Sequence, residues 1–203
     1  LVQEAKQQIL KYYANHNIAH IIINNYKIDG VDYSYLPGEI KCNFISLDIL
    51  FICLPTDLVI YFKNIFSKSN ILVNQIICSS YTKSINYKNN LNLSGNSSFI
   101  DVGFNKTSII SYYNDKIFSL DVLPIGGNHI TKDISKILAI DLESSEQKKR
   151  NFDQNLKLSN NKDISMNILE KIIFARTEEI LELCAKSIAS NPNVKDNFKM
   201  VLM

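Results

Sequence analysis

Apolar residues along this chain follow two periods, and the periods divide it into elements. From Ile164 to Ser190, the positions Ile168, Leu169, Ile172, Ile173, Ile180, Leu181, Cys184 and Ile188 recur at helical spacing. Glu170, Lys171, Arg176, Glu178, Glu179 and Glu182 fall largely between them. That pattern predicts an amphipathic helix, which Pro192 ends. Leu1 to Ala14 predicts a shorter amphipathic helix. Elsewhere the apolar residues come in short β-branched runs. Ala19 to Ile23 reads as a strand, with a turn at Asp29-Gly30 and another at Pro37-Gly38. Phe44 to Leu54 is a long apolar run stopped by Pro55, most simply a buried strand. Thr56-Asp57 opens a helix to about Ser67, and Ile71 to Cys78 reads as a strand.

Tyr81 to Ser98 is polar and rich in Asn and Ser, so it reads as a linker and marks the first domain boundary. Three strands follow, at Phe99–Val102, Ser108–Tyr113 and Ile117–Leu123, the last two joined by a turn at Asn114-Asp115. They predict a β-meander. Gly126-Gly127 breaks it. A helix capped by Asn128 or Thr131 then runs to about Ile140, and a second covers Glu143 to about Phe152. Asn151 to Asp163 reads as a polar loop, and Phe198 to Met203 as the start of a strand.

With 203 residues, 46% hydrophobic and 21% charged, the chain can bury a sizeable core. The net charge of +2 is interspersed, which gives no basis for a nucleic-acid partner. Cys42, Cys53, Cys78 and Cys184 form no C-x-x-C pair and read as structural thiols of a reducing compartment. His16 and His20, four residues apart, lack an acidic or cysteine neighbour and read as ordinary histidines rather than metal ligands. No run reaches the ~18 to 20 apolar residues of a membrane helix. The chain opens on Leu1 and closes inside the apolar run Met200–Met203, so it is expected to be a piece of a longer protein.

Candidate chemistry gathers between Phe99 and Arg150. Asp101-Val102-Gly103…Thr107 lies at a hairpin bend. There a glycine lets backbone approach a phosphate, Asp101 can face a metal, and Thr107 adds a hydroxyl. Alone it reads as a hairpin corner. Gly126-Gly127 follows a strand and opens a helix, where glycines expose N-terminal amides to an anion. It is equally an ordinary strand-to-helix turn. Glu146, Lys149 and Arg150 share one helix face, so a carboxylate can accept ribose hydroxyls between two cations. Alone they read as a surface ion pair.

In this order and spacing the chain resembles the actin and heat-shock-chaperone ATPase superfamily, and most closely the FtsA family of bacterial cell-division proteins. Asp101-Val102-Gly103…Thr107 looks like the family's second phosphate loop. Pro124-Ile125-Gly126-Gly127-Asn128-His129-Ile130-Thr131-Lys132-Asp133-Ile134 closely matches its double-glycine block, and Glu146…Lys149-Arg150 its adenosine-side helix. The resemblance implies an α/β, actin-like (ribonuclease H-like) fold, present here as a fragment with an FtsA-type 1C subdomain. Residues 1–85 would form the 1C-like (SHS2-like) unit, 86–135 a nucleotide-binding 2A-like subdomain and 136–196 a 2B-like helical unit. Residues 197–203 would begin a truncated return strand to 2A. It implies ATP and Mg2+ as ligands, held by Asp101 (through water to the metal), Gly103, Asn105, Thr107, Gly126, Gly127, Glu146, Lys149 and Arg150. Arg176 and Glu179 match charged positions of the helix that meets FtsZ. Expected partners are FtsZ, further copies in actin-like filaments, and the inner membrane through a C-terminal helix beyond this chain. That places the protein on the cytoplasmic face of the inner membrane at the division site.

The chain departs from the family pattern at three positions. Phe104 and Asn105 stand where FtsA carries glycines, and Ser108 where a second acidic residue is usual. The first phosphate loop would precede Leu1 and the second adenosine loop would follow Met203. Weak or absent ATP hydrolysis is therefore expected, and no catalytic base can be named. Three alternatives stay open: a PilM-like pilus-assembly protein, a non-hydrolysing actin-like interaction module, and a sugar- or acetate-kinase-like phosphotransferase.

Overall fold

The computed structural model describes residues 1–39, 41–152, 164–190 and 198–203. They divide into two compact units, Leu1–Thr82 and Lys83–Met203.

The first unit opens with helix α1 (Val2–Tyr12). A three-stranded antiparallel sheet follows in the order β2-β1-β3, from β1 (His16–Ile28), β2 (Val31–Tyr33) and β3 (Ile45–Pro55). Strand β1 pairs along its whole length with β3, from His16 opposite Pro55 to Ile28 opposite Ile45. The predicted turn is present, with Asp29 and Gly30 both at positive φ. The Asp29 carboxylate accepts the backbone N–H groups of Asn43 and Phe44, at 3.1 and 2.8 Å, and so ties the start of β3 to that turn. Helix α2 (Thr56–Ser67) follows directly, positioned by Asn17, which donates to the Thr56 hydroxyl at 3.0 Å.

Two expectations for this unit change. The run Phe44–Leu54 is a strand but mostly half-buried; of its residues only Ile52 is buried. Three strands and two short helices enclose too little volume to seal it. Ile71 to Cys78 is not a strand. Its β-branched residues favour extended backbone, but no described strand edge pairs with it. It is held instead by the Cys78 N–H, which donates to His20 Nε2 at 2.9 Å. The His20 ring meets Tyr81 edge-on, and burial pulls its pKa down.

Helix α3 (Ser79–Asn90) occupies the stretch expected to be a linker. Ser, Thr and Asn compete with helix through local hydrogen bonds, so composition alone argues against it. Contacts with the second unit's sheet stabilise it: Ser84 shares a buried 2.8 Å hydrogen bond with the Tyr112 hydroxyl, and Lys88 reaches Asp115 at 2.7 Å.

In the second unit, β4 (Ser97–Val102), β5 (Thr107–Tyr113) and β6 (Lys116–Leu123) form the predicted meander. Asn114 and Asp115, both at positive φ, make its second turn. Helices α4 (Gly127–Leu138), α5 (Leu142–Arg150) and α6 (Ile164–Ala189) follow. The chain returns as β7 (Lys199–Leu202), parallel to β4, for a sheet order β6-β5-β4-β7. Alternation sends Ile100 and Ile109 to one face, where they pack with Ile125 and with Ile180, Cys184 and Ile188 of α6. Ile134 of α4 forms a second core with Leu169 and Ile172 of α6. The expected loop lies outside the described residues from position 153, as does Pro192. All four cysteines are free thiols, with Cys184 buried. No helix among the described residues is long and apolar enough to cross a membrane.

Candidate functional site

Strands β4 and β5 close with Val102 opposite Thr107, leaving Gly103 to Lys106 as the bend. The Gly103 N–H donates to the Lys106 carbonyl at 2.9 Å and tightens it. This bend sits directly on the start of α4. The Gly127 N–H donates to the Gly103 carbonyl at 2.9 Å and the Asn128 N–H to the Phe104 carbonyl at 2.7 Å. The Asn128 side chain donates to Asn105 Oδ1 at 2.9 Å.

Close approach explains the first glycine of the pair. A Cβ on Gly126 would lie 2.4 Å from the Gly103 carbonyl oxygen, 2.9 Å from that of Phe104 and 3.0 Å from the Lys106 nitrogen. One on Gly127 would meet nothing closer than 3.6 Å. The double glycine therefore seats the loop on the helix. This corrects the reading of Gly126-Gly127 as a pair that bares helix amides to an anion, because the Gly127 and Asn128 amides are engaged by the loop carbonyls. Thr107 is corrected too. It is fully buried, and its hydroxyl donates to the Ile125 carbonyl at 2.7 Å, so it braces the strand end rather than offering a hydroxyl to a ligand.

The third element meets the same helix end. Lys149 Nζ donates to the Gly127 carbonyl at 3.1 Å, to the Thr131 hydroxyl at 2.8 Å and to Glu146 Oε2 at 2.6 Å. The Thr131 hydroxyl donates to that same carboxylate oxygen at 2.5 Å, and Arg150 Nε reaches Glu146 Oε1 at 2.9 Å. Lys149, with Thr131 and Arg150 beside it, pulls the Glu146 pKa down to about 2 against the opposing effect of burial. Glu146 is thus a fixed anion at neutral pH. Its two oxygens have about four acceptor positions, so it retains capacity for a ligand hydroxyl. Lys149 is held inward at 18% side-chain exposure, while Arg150 stands out at 75%.

Asp101 lies at the end of β4 with its carboxylate on Lys83 Nζ, at 3.0 and 3.2 Å. Arg176 and Glu179 lie elsewhere: Arg176 Nε donates to Asp133 at 2.6 Å and its guanidinium also pairs with Glu179. Asp133 raises the Arg176 pKa. Gly127 and Thr131, one turn apart on α4, meet α5, whereas Asp133 meets α6. The structure therefore brings Gly103, Asn105, Thr107, Gly126, Gly127, Glu146, Lys149 and Arg150 into one connected knot and leaves Arg176 and Glu179 outside it. Lys83, Asn128, Thr131 and Asp133 also act in these contacts; of them the sequence offered Asn128 and Thr131 only as helix caps. Thr131 was findable, one helical turn after Gly127. Lys83 was not, because its segment reads as a linker.

A meander docked on a helix N-terminus, with a parallel return strand after three helices, makes a mixed α/β unit, and the solved structures that superpose on it give it an actin-like fold. Over residues 98–196 the chain matches the family model of Cell division protein FtsA, which bears out the resemblance read from sequence for that span. Cell division protein FtsA of Bacillus subtilis (strain 168) is 32% identical over 106 residues, covering 45% of this chain and 24% of that protein. Among solved structures, a chain of the PilM-PilN type IV pilus biogenesis complex superposes with a TM-score of 0.70 at 12% identity, covering 100% of this chain and 54% of that one. MreB 5 of Spiroplasma citri, solved bound to AMPPNP, gives a TM-score of 0.49 at 17% identity over 66% of this chain and 47% of that chain. The chain thus spans about half the length of the PilM chain, and the matched stretch about a quarter of the Bacillus FtsA.

Proposed function

We propose that these residues are part of an FtsA-type cell-division protein whose 2A-like region binds ATP with Mg2+. The observation that carries this reading is the knot itself. A hairpin loop, a glycine with no room for a Cβ, and the Glu146–Lys149 pair converge on one helix end. Three elements far apart in sequence are held there in register. The donor set fits the ligand. Asp101 offers a carboxylate for a hydrated metal, the 103–106 bend offers backbone to phosphate, Glu146 offers acceptors to ribose hydroxyls, and Lys149 and Arg150 flank the sugar and base. In the complete protein the nucleotide gates head-to-tail association. The protein then tethers FtsZ filaments to the cytoplasmic face of the inner membrane at the septum. Arg176 and Glu179 border a hollow of about 240 Å³ lined also by Asp133, Ile137 and Ile172, which fits a docked peptide tail.

The test is binding by the full-length protein of a fluorescent ATP analogue and of a peptide from the FtsZ tail. Asp101→Ala is expected to weaken the nucleotide about tenfold or more, as removal of a charge-assisted contact does. Unchanged affinity overturns the assignment of the loop. A second reading, a PilM-like pilus-assembly role, is supported by the superposition over the whole chain. Nucleotide binding without FtsZ-tail binding favours it.

A further inference from the structure

The 103–106 bend uses its acceptors and its donors unequally. The Gly103 and Phe104 carbonyls take the Gly127 and Asn128 N–H groups, the Lys106 carbonyl takes that of Gly103, and Asn105 Oδ1 takes the Asn128 side chain. The acceptors are thus engaged by α4 or within the bend. The donors are not. Among the described residues, the backbone N–H groups of Phe104, Asn105 and Lys106 have no acceptor. All three residues are exposed. Successive amides in a turn, with their carbonyls committed elsewhere, form a donor patch that suits an anion.

Lys106 adds a full charge to that patch. The lysines around the meander are otherwise answered: Lys83 by Asp101, Lys88 by Asp115 and Lys149 by Glu146. The Lys106 ammonium has no hydrogen bond or ion pair among the described residues. Most free surface lysines are merely solvated. Lys106 differs in its place of attachment. It carries the third free amide, one residue before the buried Thr107 whose hydroxyl holds the Ile125 carbonyl. The root of the side chain is therefore fixed, while its flexible four-carbon stem can fold back over an anion on the amides. The Lys83–Asp101 pair brings no net charge, so Lys106 sets the sign of the bend. The Asp101 oxygens keep acceptor positions for metal-bound water, so this leaves the metal role of Asp101 in place.

We propose that Lys106 is the phosphate-binding cation of this site, closing over a nucleotide phosphate seated on the Phe104, Asn105 and Lys106 amides. This rests on the nucleotide reading above and deepens it, because it assigns the phosphate a charged side chain that no motif marked. It also moves the anion from the helix amides, which the loop carbonyls occupy, to the outer side of the bend.

The experiment is equilibrium binding of a fluorescent ATP analogue to the full-length protein in magnesium, at low and at high salt. Wild type, Lys106→Met and Lys106→Arg are compared, with a thermal melt of each to confirm folding. Lys106→Met keeps the aliphatic stem and removes only the charge. At low salt it is expected to bind about tenfold more weakly than wild type, as loss of a charge-assisted contact does. Lys106→Arg is expected to stay within about threefold of wild type, and the deficit of Lys106→Met to shrink at high salt, where charge is screened. Wild-type affinity in Lys106→Met at low salt overturns the proposal. A deficit equal at both salt levels and shared by Lys106→Arg also overturns it, since the side chain then acts by shaping the bend. No binding by wild type or either variant overturns the nucleotide reading itself, and this inference with it.

Discussion

Gly126→Ala tests the docking of the loop on α4. The added methyl would sit 2.4 Å from the Gly103 carbonyl oxygen and 2.9 Å from that of Phe104, both backbone atoms that cannot rotate away. The bend must lift. Overpacking of this kind costs about 1–3 kcal/mol. Lifting also breaks the bonds from the Gly127 and Asn128 amides to the two carbonyls, at about 0.5–1.5 kcal/mol each. A local penalty of about 2–6 kcal/mol corresponds to roughly thirtyfold or more in the opening equilibrium. Hydrogen exchange resolved at Gly127 and Asn128 in the full-length protein reads this directly. Both amides are expected to exchange roughly thirtyfold faster or more in the variant. Gly127→Ala is the control. Its methyl would make only ordinary contacts at 3.6 and 3.8 Å, and alanine suits a helix better than glycine. Its exchange should match wild type. Equal effects from the two substitutions would refute the close-approach argument.

Two further outcomes follow from the charged contacts. The Glu146 pKa is lowered to about 2 from an ordinary 4.5, so its contribution is fully present above about pH 4.5 and disappears as pH falls through 2. Glu146→Gln should therefore destabilise the protein by up to about 2 kcal/mol at pH 7 after solvent screening, and by little near pH 2, in denaturant titrations at the two pH values. For Arg176 and Asp133, a double-mutant cycle to alanine is expected to give a coupling of about 1 kcal/mol, and zero coupling would show that the 2.6 Å pair does not join α4 to α6.

The meander and α6 were legible in the sequence because local signals agree with the tertiary structure there. Alternation and the Asn114-Asp115 turn both specify a hairpin, and α6 keeps one apolar stripe through Leu169, Ile172, Ile180, Cys184 and Ile188. Helix α3 was hidden because what makes it a helix is Tyr112 and Asp115, more than 20 residues away. Ile71–Cys78 failed the other way, since a strand needs a neighbour that composition cannot announce. The site was half legible. Motif spacing picked out the residues that meet. It could not tell whether the Thr107 hydroxyl faces a ligand or the Ile125 carbonyl, nor whether helix amides are open or engaged. Those outcomes depend on which backbone atoms lie opposite, and that is decided by the fold.

Helix α4 carries contacts of both kinds. Gly127 and Thr131 belong to the knot with α5, while Asp133, six residues past Gly127 and about 9 Å further along the axis, anchors Arg176. One stiff rod of 12 residues thus has a handle at each place. A shift of the rod along its axis moves both handles together. Any coupling the rod transmits between the knot and the Arg176–Asp133 pair is equal in either direction.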